Sequence, residues 1–407
     1  MVDVSSVRSF IRTAQSRHRA TPEMVRGLNV PYWRRGEMSI PGFKMKAGGN
    51  PATDGREQSL RIMKKAATMP VDFFFFDLED AAPDHEEWKP WARKFVVEAL
   101  TTTDSFGKRV VGFRPNNIRT AYFEDDMVDV LTAAGNRLHA LVLPKSETVD
   151  EVKDAVQAMK DILRLAGHAN RVVVEVLIES PRGFLDAERI AAIPEVAALV
   201  LGSYDFARTL GGRVETATWL DDQRTIRQSL PILAAAHGKD AVDAITAILP
   251  VRPKTPDGIS EEEALSALRR RREELDVKRY GAAFVEGVRK HQAAVEMARR
   301  DALDARRCGF AAKWILHPDQ IEPIQGAWTP SADEARSALK MVAAYAAAAI
   351  RGSGAELDGQ RLADKAVVGM EWWQVESALR DGILSDGDIQ ATGFTLEQLR
   401  RTVRTRD

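Results

Sequence analysis

Eight short apolar runs recur along the chain, at residues 38–41, 71–76, 109–113, 139–143, 172–178, 196–201, 243–249 and 313–316. Most are separated by a stretch with helical spacing. The central pair, VVVEVLI at 172–178 and VAALVL at 196–201, does not alternate apolar with polar residues. Almost unbroken apolar runs of this length belong to parallel strands covered on both faces. Eight strand–helix units in series predict an α/β fold, a (β/α)8 TIM barrel. The competing architecture is a doubly wound open sheet. It would carry Gly-x-Gly-x-x-Gly after an early strand, and Gly352-Ser353-Gly354 lacks both the third glycine and the strand.

The runs divide the chain into an N-terminal arm at 1–35, a barrel at 36–328 and a helical C-terminal module at 329–407. The arm scatters Arg8, Arg12, Arg17, Arg19 and Arg26 among few apolar residues and ends on Trp33-Arg34-Arg35. Residues 251–280 break the strand–helix rhythm with prolines, a glycine and a charged helix of mixed sign, and read as an insertion with a solvated face. The C-terminal module opens at Ser331 and Glu334, which have capping-box spacing. It is too small for a second enzyme and reads as a lid or an oligomer contact.

Composition narrows the function. A formal net charge of −1 argues against a nucleic-acid binder driven by bulk charge. The single cysteine, Cys308, excludes an intrachain disulfide and a cysteine-based zinc site. No apolar run reaches membrane-spanning length, and the N-terminus has no apolar signal core. A soluble cytoplasmic protein is expected.

In a parallel barrel all strand ends of one sense face one mouth, where ligands bind. The residues just beyond the predicted strands are Asp77, Glu79 and Asp80, then Arg114 and Asn116, then Lys145, Glu179, Asp205 and His317. Glu179 and Asp205 are suited to a hard divalent cation, since Mg²⁺ takes oxygen ligands and keeps positions for substrate. The competing reading makes both acids helix caps or loop charges. Arg114 can clamp a carboxylate through its fork. Asp77, Glu79 and Asp80 are supporting acids that bind backbone N–H groups or an arginine. Together the set predicts a small oxo- or hydroxy-acid chelated to Mg²⁺, with Mn²⁺ as a substitute, and carbon–carbon chemistry through an enolate. His317 is read as a brace for the turn at Pro318. Lys44, Lys46, Arg56 and Lys145 are candidates for phosphate contacts, against the commoner role of surface charges.

The ordered segments FFFFDLEDA, FRPN, LVLPKSE, VLIESPRG, LVLGSYD and KWILHPDQI resemble the CitE-like (citrate lyase β-subunit-like) branch of the HpcH/HpaI aldolase superfamily over roughly residues 38–380. That branch includes malyl-CoA, β-methylmalyl-CoA and citramalyl-CoA lyases and a malate synthase type. The resemblance implies a Mg²⁺-dependent barrel acting on acyl-CoA thioesters and 2-oxoacids such as glyoxylate, assembled as a trimer or hexamer. It implies Glu179 and Asp205 as metal ligands and Arg114 as the substrate arginine; Asn116 is expected beside it, and Lys44, Lys46 and Lys145 are the candidates toward coenzyme A. It also implies a catalytic aspartate delivered to a neighbouring subunit by the C-terminal segment, for which Asp364 is the match. Ala363 stands before Asp364 where the family usually has isoleucine, and the insertion and the arm are further departures. Two alternatives follow from these features: malate synthase or malyl-CoA thioesterase activity on the same scaffold, and a subunit of a larger complex.

Overall fold

The computed structural model describes residues 34–82, 86–212, 214, 223–246, 248–270, 274–358 and 361–404. The N-terminal arm therefore lies outside the described residues up to residue 33. Eight parallel strands form a closed barrel in chain order. They are Gly36–Pro41 (β1), Phe73–Asp77 (β2), Val110–Arg114 (β3), Ala140–Leu143 (β4), Val173–Ile178 (β5), Val196–Leu201 (β6), Asp240–Asp243 (β7) and Ala312–Ile315 (β8). Pairing of Glu37 with Trp314 closes β1 onto β8. The expected (β/α)8 architecture is present.

The tetraphenylalanine run shows why these residues make a barrel strand. Phe73 and Phe75 point inward with Val110, Val142, Leu177, Val200 and Trp314. Phe74 and Phe76 point outward and meet Phe106 edge-on, at centroid distances of 5.5 and 6.3 Å. A strand alternates its side chains with period two, so only a strand covered on both faces can be phenylalanine throughout. The interior is filled rather than hollow, as barrels of this size require.

Beneath the apolar layers the barrel carries charge. Arg34 pairs with Glu37, with Glu175 at 3.1 Å and with Asp240 at 3.2 Å. Burial raises the Glu175 carboxyl well above the usual carboxylate range, against the pull of Arg34 and with a further push from Glu37. A second buried network joins β7 and β8 to the helices packed around them. Arg227 and Lys313 both reach Asp243, at 2.7 and 2.8 Å, and both reach Asp301 at 2.8 Å.

These networks explain the one strand that the sequence reading misplaced. β7 spans Asp240–Asp243, not 243–249. Its two aspartates are neutralised by Arg34, Arg227 and Lys313, partners from distant segments, so the strand does not look apolar in sequence. Ala244 and Ile245, expected inside the strand, stand past its end on the wall of a cavity. The described residues of the 251–280 segment include two short helices, Glu261–Ala267 and Val277–Tyr280. They pack a small cluster of Ala264, Ala267, Leu275 and Tyr280 onto Phe284, Val285 and Val288 of the long helix Ala282–Cys308.

The chain divides into two compact units at Ile324/Gln325. In the second, Ser331 and Glu334 form a reciprocal capping box at the start of helix Ala332–Ile350. A hairpin, Ala355–Asp358 (β9) with Arg361–Asp364 (β10), leads into helix Lys365–Arg380. Leu339, Val342, Tyr345, Val368, Trp372 and Val375 form that unit's core. No helix among the described residues is long and apolar enough to cross a membrane.

Candidate active site

The carboxyl ends of the strands surround a cavity of about 320 Å³. β2 and β3 are in register so that Asp77 stands beside Arg114 at the last rung of both. The pair is closed as a fork: Arg114 Nε donates to Asp77 Oδ1 at 2.8 Å and Nη2 donates to Oδ2. Asp77 also accepts from Ser39 Oγ and from the Glu79 amide, both at 2.9 Å. Arg114 Nη1 lies 3.3 Å from Glu79 Oε2, and the guanidinium carbon sits 5.3 Å from the centre of the Trp314 ring. Burial works against the Arg114 charge, but Asp77, Glu79 and Glu179 outweigh it and hold the proton more firmly than usual. Trp314 is itself anchored by its Nε1–H on Glu37 at 3.0 Å.

Behind the Asp-Leu-Glu-Asp turn, the buried Lys89 ammonium donates to the carbonyls of Leu78 and Glu79 at 2.8 and 2.7 Å. It fixes the turn while leaving its carboxylates to other partners. Glu79 is bonded by Lys145 Nζ, which also donates to Asp80 at 2.8 Å. Burial raises the Glu79 carboxyl, against Arg114 and Lys145. For Asp80, burial is outweighed by Lys145 and Arg114, and its carboxyl falls below the usual range.

Glu179 follows β5 and is buried on the cavity wall. It is not the helix cap that the competing reading allowed. Ser180 caps helix Pro181–Ala191 by accepting from the Gly183 amide at 3.1 Å. The Glu179 carboxylate accepts instead from the Lys145 amide at 3.1 Å. Burial pushes its pKa up to about 8, with Arg114 opposing and Glu79 adding. Asp205 follows β6, half-buried, in the first turn of helix Ser203–Thr209, and pairs with Arg208. Glu179 and Asp205 line the same cavity as Asp77, Asp80 and Arg114.

The residues between them bear on what the site can hold. A Cβ on Gly202 would stand 2.3 Å from Glu179 Cγ and 2.9 Å from Oε2. Glycine is required here so that the carboxylate can lie against the turn. Ser203 Oγ is buried on the same wall and has no hydrogen-bond partner among the described residues. A carboxylate held with its charge penalised, a second carboxylate and an orphaned hydroxyl form an oxygen donor set that fits a hard divalent cation. No group of three His, Cys, Asp or Glu side chains suited to a metal occurs among the described residues. A cation here would depend on two carboxylates and on oxygens from water or substrate, the habit of Mg²⁺. Gly202→Ala is expected to displace Glu179 and cost about 1–3 kcal/mol in overpacking. Urea unfolding and a Mg²⁺ titration of the variant measure the two effects.

Several sequence candidates stand elsewhere. Asn116 is buried against Asp126, bonding it through Nδ2 at 2.6 Å and through its amide at 2.9 Å. It ties the turn after β3 to helix Phe123–Ala134 and does not line the cavity. Lys44 and Lys46 are exposed in the loop after β1, off the cavity wall. Lys145 meets acids of its own chain rather than open solvent. His317 Nδ1 accepts from the Asp319 amide at 3.2 Å, the bracing role expected of it. Asp364, in the C-terminal unit, caps helix Lys365–Arg380 by accepting from the Val367 amide at 2.9 Å. Sequence reasoning missed Ser39, Gly202, Ser203 and Trp314. Gly-Ser-Tyr-Asp carried the signal for two of them, since a glycine directly after a buried strand marks a close approach.

Residues 56–250 match the HpcH/HpaI aldolase/citrate lyase family. An L-malyl-CoA/β-methylmalyl-CoA lyase of Cereibacter sphaeroides is 29% identical over 324 residues, covering 75% of this chain and 87% of the relative. A (3S)-malyl-CoA thioesterase of the same species is 26% identical over 304 residues, covering 74% and 84%. Among solved structures, a citrate lyase from Burkholderia xenovorans superposes with a TM-score of 0.61 at 20% identity, covering 91% of this chain and 96% of that one. The CitE protein of Mycobacterium tuberculosis, in complex with magnesium, acetoacetate and coenzyme A, superposes at 0.55 with 22% identity, covering 85% and 98%. At these identities the two structures speak to the fold.

Proposed function

We propose that this chain, whose residues 56–250 match the HpcH/HpaI aldolase/citrate lyase family, is a carbon–carbon lyase that reversibly cleaves a malyl-CoA-like β-hydroxyacyl-CoA to an acyl-CoA and a 2-oxoacid such as glyoxylate. The observation that carries the reading is the convergence of Glu179, Asp205 and Arg114 on one cavity.

Glu179 and Asp205 would hold a Mg²⁺ ion, with Mn²⁺ as a substitute. Bound there, the ion would supply Lewis-acid polarisation of the oxoacid oxygens. Arg114 presents the N–H groups not engaged by Asp77 and Glu79 to the substrate carboxylate or to charge developing on the β-oxygen. Its fork to Asp77 and its seat over Trp314 keep those donors aimed before substrate arrives. In cleavage, the β-hydroxyl gives its proton to solvent water, the bond between the α and β carbons breaks, and its electrons pass into the thioester enolate. Asp364 from a second copy of the chain would protonate the α-carbon, and in the reverse direction it would remove that proton. This role requires a homo-oligomer.

Asp364→Asn tests that assignment cleanly. Asparagine caps a helix about as well as aspartate, so the helix-capping bond and stability should survive. Loss of the acid–base group should lower kcat by about 10²–10⁴-fold. Steady-state turnover and thermal unfolding of the variant separate the two.

The raised pKa of Glu179 gives the reaction a pH signature. The carboxyl must lose its proton to grip a cation, so apparent Mg²⁺ affinity should fall as pH drops below about 8. Calorimetric titrations at pH 6.5 and 8.5 measure this directly.

The thioesterase relative motivates a second reading, hydrolysis of the thioester. Malyl-CoA supplied with Mg²⁺ distinguishes the two. A lyase yields acetyl-CoA and glyoxylate and releases no thiol, whereas hydrolysis yields malate and free coenzyme A. Formation of neither product would contradict both readings.

A further inference from the structure

We propose that Lys145 is a positioning residue that sorts the acids at the barrel mouth into two sets, leaving Glu179 and Asp205 as the pair presented to a divalent cation. The inference rests on the cation reading above.

Lys145 is the only non-glycine residue with positive φ among the described residues, at 49°. A left-handed backbone at a residue bearing Cβ costs about 1–2 kcal/mol, so the surroundings must impose it. They do so from one side. The Lys145 carbonyl accepts from Asn117 Nδ2 at 3.1 Å and from Arg119 Nη2 at 2.8 Å. Asn117 Nδ2 also donates to the Pro144 carbonyl at 2.8 Å. The turn after β4 is thereby pinned to the turn after β3.

The other groups of the residue show what the conformation achieves. Its amide donates to Glu179 Oε1, and its ammonium donates to both Glu79 and Asp80. One residue therefore touches the acids that follow β2 and the acid that follows β5. Local strain of this kind persists where the surrounding structure over-determines it, and it clusters at functional sites.

Charge gives the arrangement its purpose. Among the described residues, the acids that end or directly follow β2, β5 and β6 are Asp77, Glu79, Asp80, Glu179 and Asp205. Arg114 engages Asp77 and Glu79, and Lys145 engages Glu79 and Asp80. Arg114 and Lys145 thus make their direct ion pairs with one set of acids. Glu179 receives an amide rather than a full charge, and Asp205 only a surface arginine that is largely exposed. Without the ammonium, Glu79 and Asp80 would face the cavity as competing oxygen ligands, drawing a cation away from its place or adding a second.

The test uses the full-length protein, Mn²⁺ as the probe, and malyl-CoA cleavage as the activity. Lys145→Met, Lys145→Gly and Lys145→Arg are compared with the parent for Mn²⁺ stoichiometry and affinity by calorimetry, and for kcat and KM. Methionine removes the charge. Glycine also removes it but keeps the backbone conformation and the amide. Arginine restores the charge. The proposal expects Lys145→Met and Lys145→Gly to lose about 10–100-fold in kcat while binding Mn²⁺ at least as tightly as the parent, or binding more than one ion. Lys145→Arg should return to one ion and recover most of the turnover.

Unchanged kcat and one Mn²⁺ at parental affinity in Lys145→Met would overturn the proposal. So would weakened Mn²⁺ binding in all three variants together with a lowered melting temperature, the pattern of a merely structural residue. Failure of the underlying reading looks different: the parent itself would bind no Mn²⁺, or Glu179→Gln would bind it unchanged.

Discussion

Glu179→Gln should abolish most cation-dependent turnover and, in the absence of a divalent cation, make the protein more resistant to heat at alkaline pH. The two effects share one cause. The Glu179 carboxylate is buried, and its pKa is pushed up to about 8 because burial penalises the charge and Glu79 adds to it. Its folded pKa exceeds its unfolded value of 4.5. The folded protein therefore binds this proton more tightly than the unfolded chain. The associated stability is fully present below the unfolded value and is lost as pH rises through about 8. Glutamine carries no such charge, so at pH 8.5 in EDTA the variant should melt a few degrees above the parent, while near pH 4.5 the two should converge. Turnover should fall by roughly a thousandfold, since Lewis-acid stabilisation is worth several kcal/mol. Calorimetric scans at both pH values and a cleavage assay supply the comparison. A variant that melted lower than its parent at pH 8.5 would show that the carboxylate is a stabilising contact, not a poised ligand.

Arg114→Met has the second large expected effect, and here stability and activity fall together. Asp77 is fully buried, and Arg114 is its only charged partner among the described contacts. Breaking a buried pair from one side costs about 3–5 kcal/mol because the remaining charge is uncompensated. Glu79 loses part of its neutralisation at the same time. Arg114→Lys keeps the charge but cannot form the fork to Asp77 while presenting further N–H groups to a substrate. It should therefore recover part of the stability and little of the kcat/KM. Urea midpoints and steady-state kinetics on both variants check this. Retention of turnover in Arg114→Lys would mean that a point charge suffices and that the fork has no part in the chemistry.

How much of this was legible in the sequence depends on what kind of interaction decides each feature. The barrel was legible because most of its strands are largely apolar, and burial on both faces leaves a direct compositional trace. β7 was not, because Asp240 and Asp243 owe their burial to Arg34, Arg227 and Lys313, none of them adjacent in sequence. The acids and Arg114 could be assigned to the mouth because barrel topology dictates which end of each strand they follow. Where each side chain then turns is set by local hydrogen bonds. Asn116 stands two residues past Arg114, the last residue of β3, but Asp126 one turn into the next helix claims it. Lys145 looked like a phosphate contact because a sequence does not tell whether a lysine meets a ligand or its own chain's acids. Its strained backbone left no trace at all, since no residue type announces a left-handed lysine. Trp314 escaped notice because its part is indirect: it supports Arg114 from below and is held by Glu37.

The role of Glu179 and Asp205 is tested most directly by locating a bound cation. Crystals grown with Mn²⁺ and diffracted near the manganese absorption edge give an anomalous map that reports the ion's position independently of activity. The account predicts one strong peak per chain within coordination distance of both the Glu179 and the Asp205 carboxylates. A peak held by Glu79 and Asp80 instead, or no peak in the cavity, would contradict it.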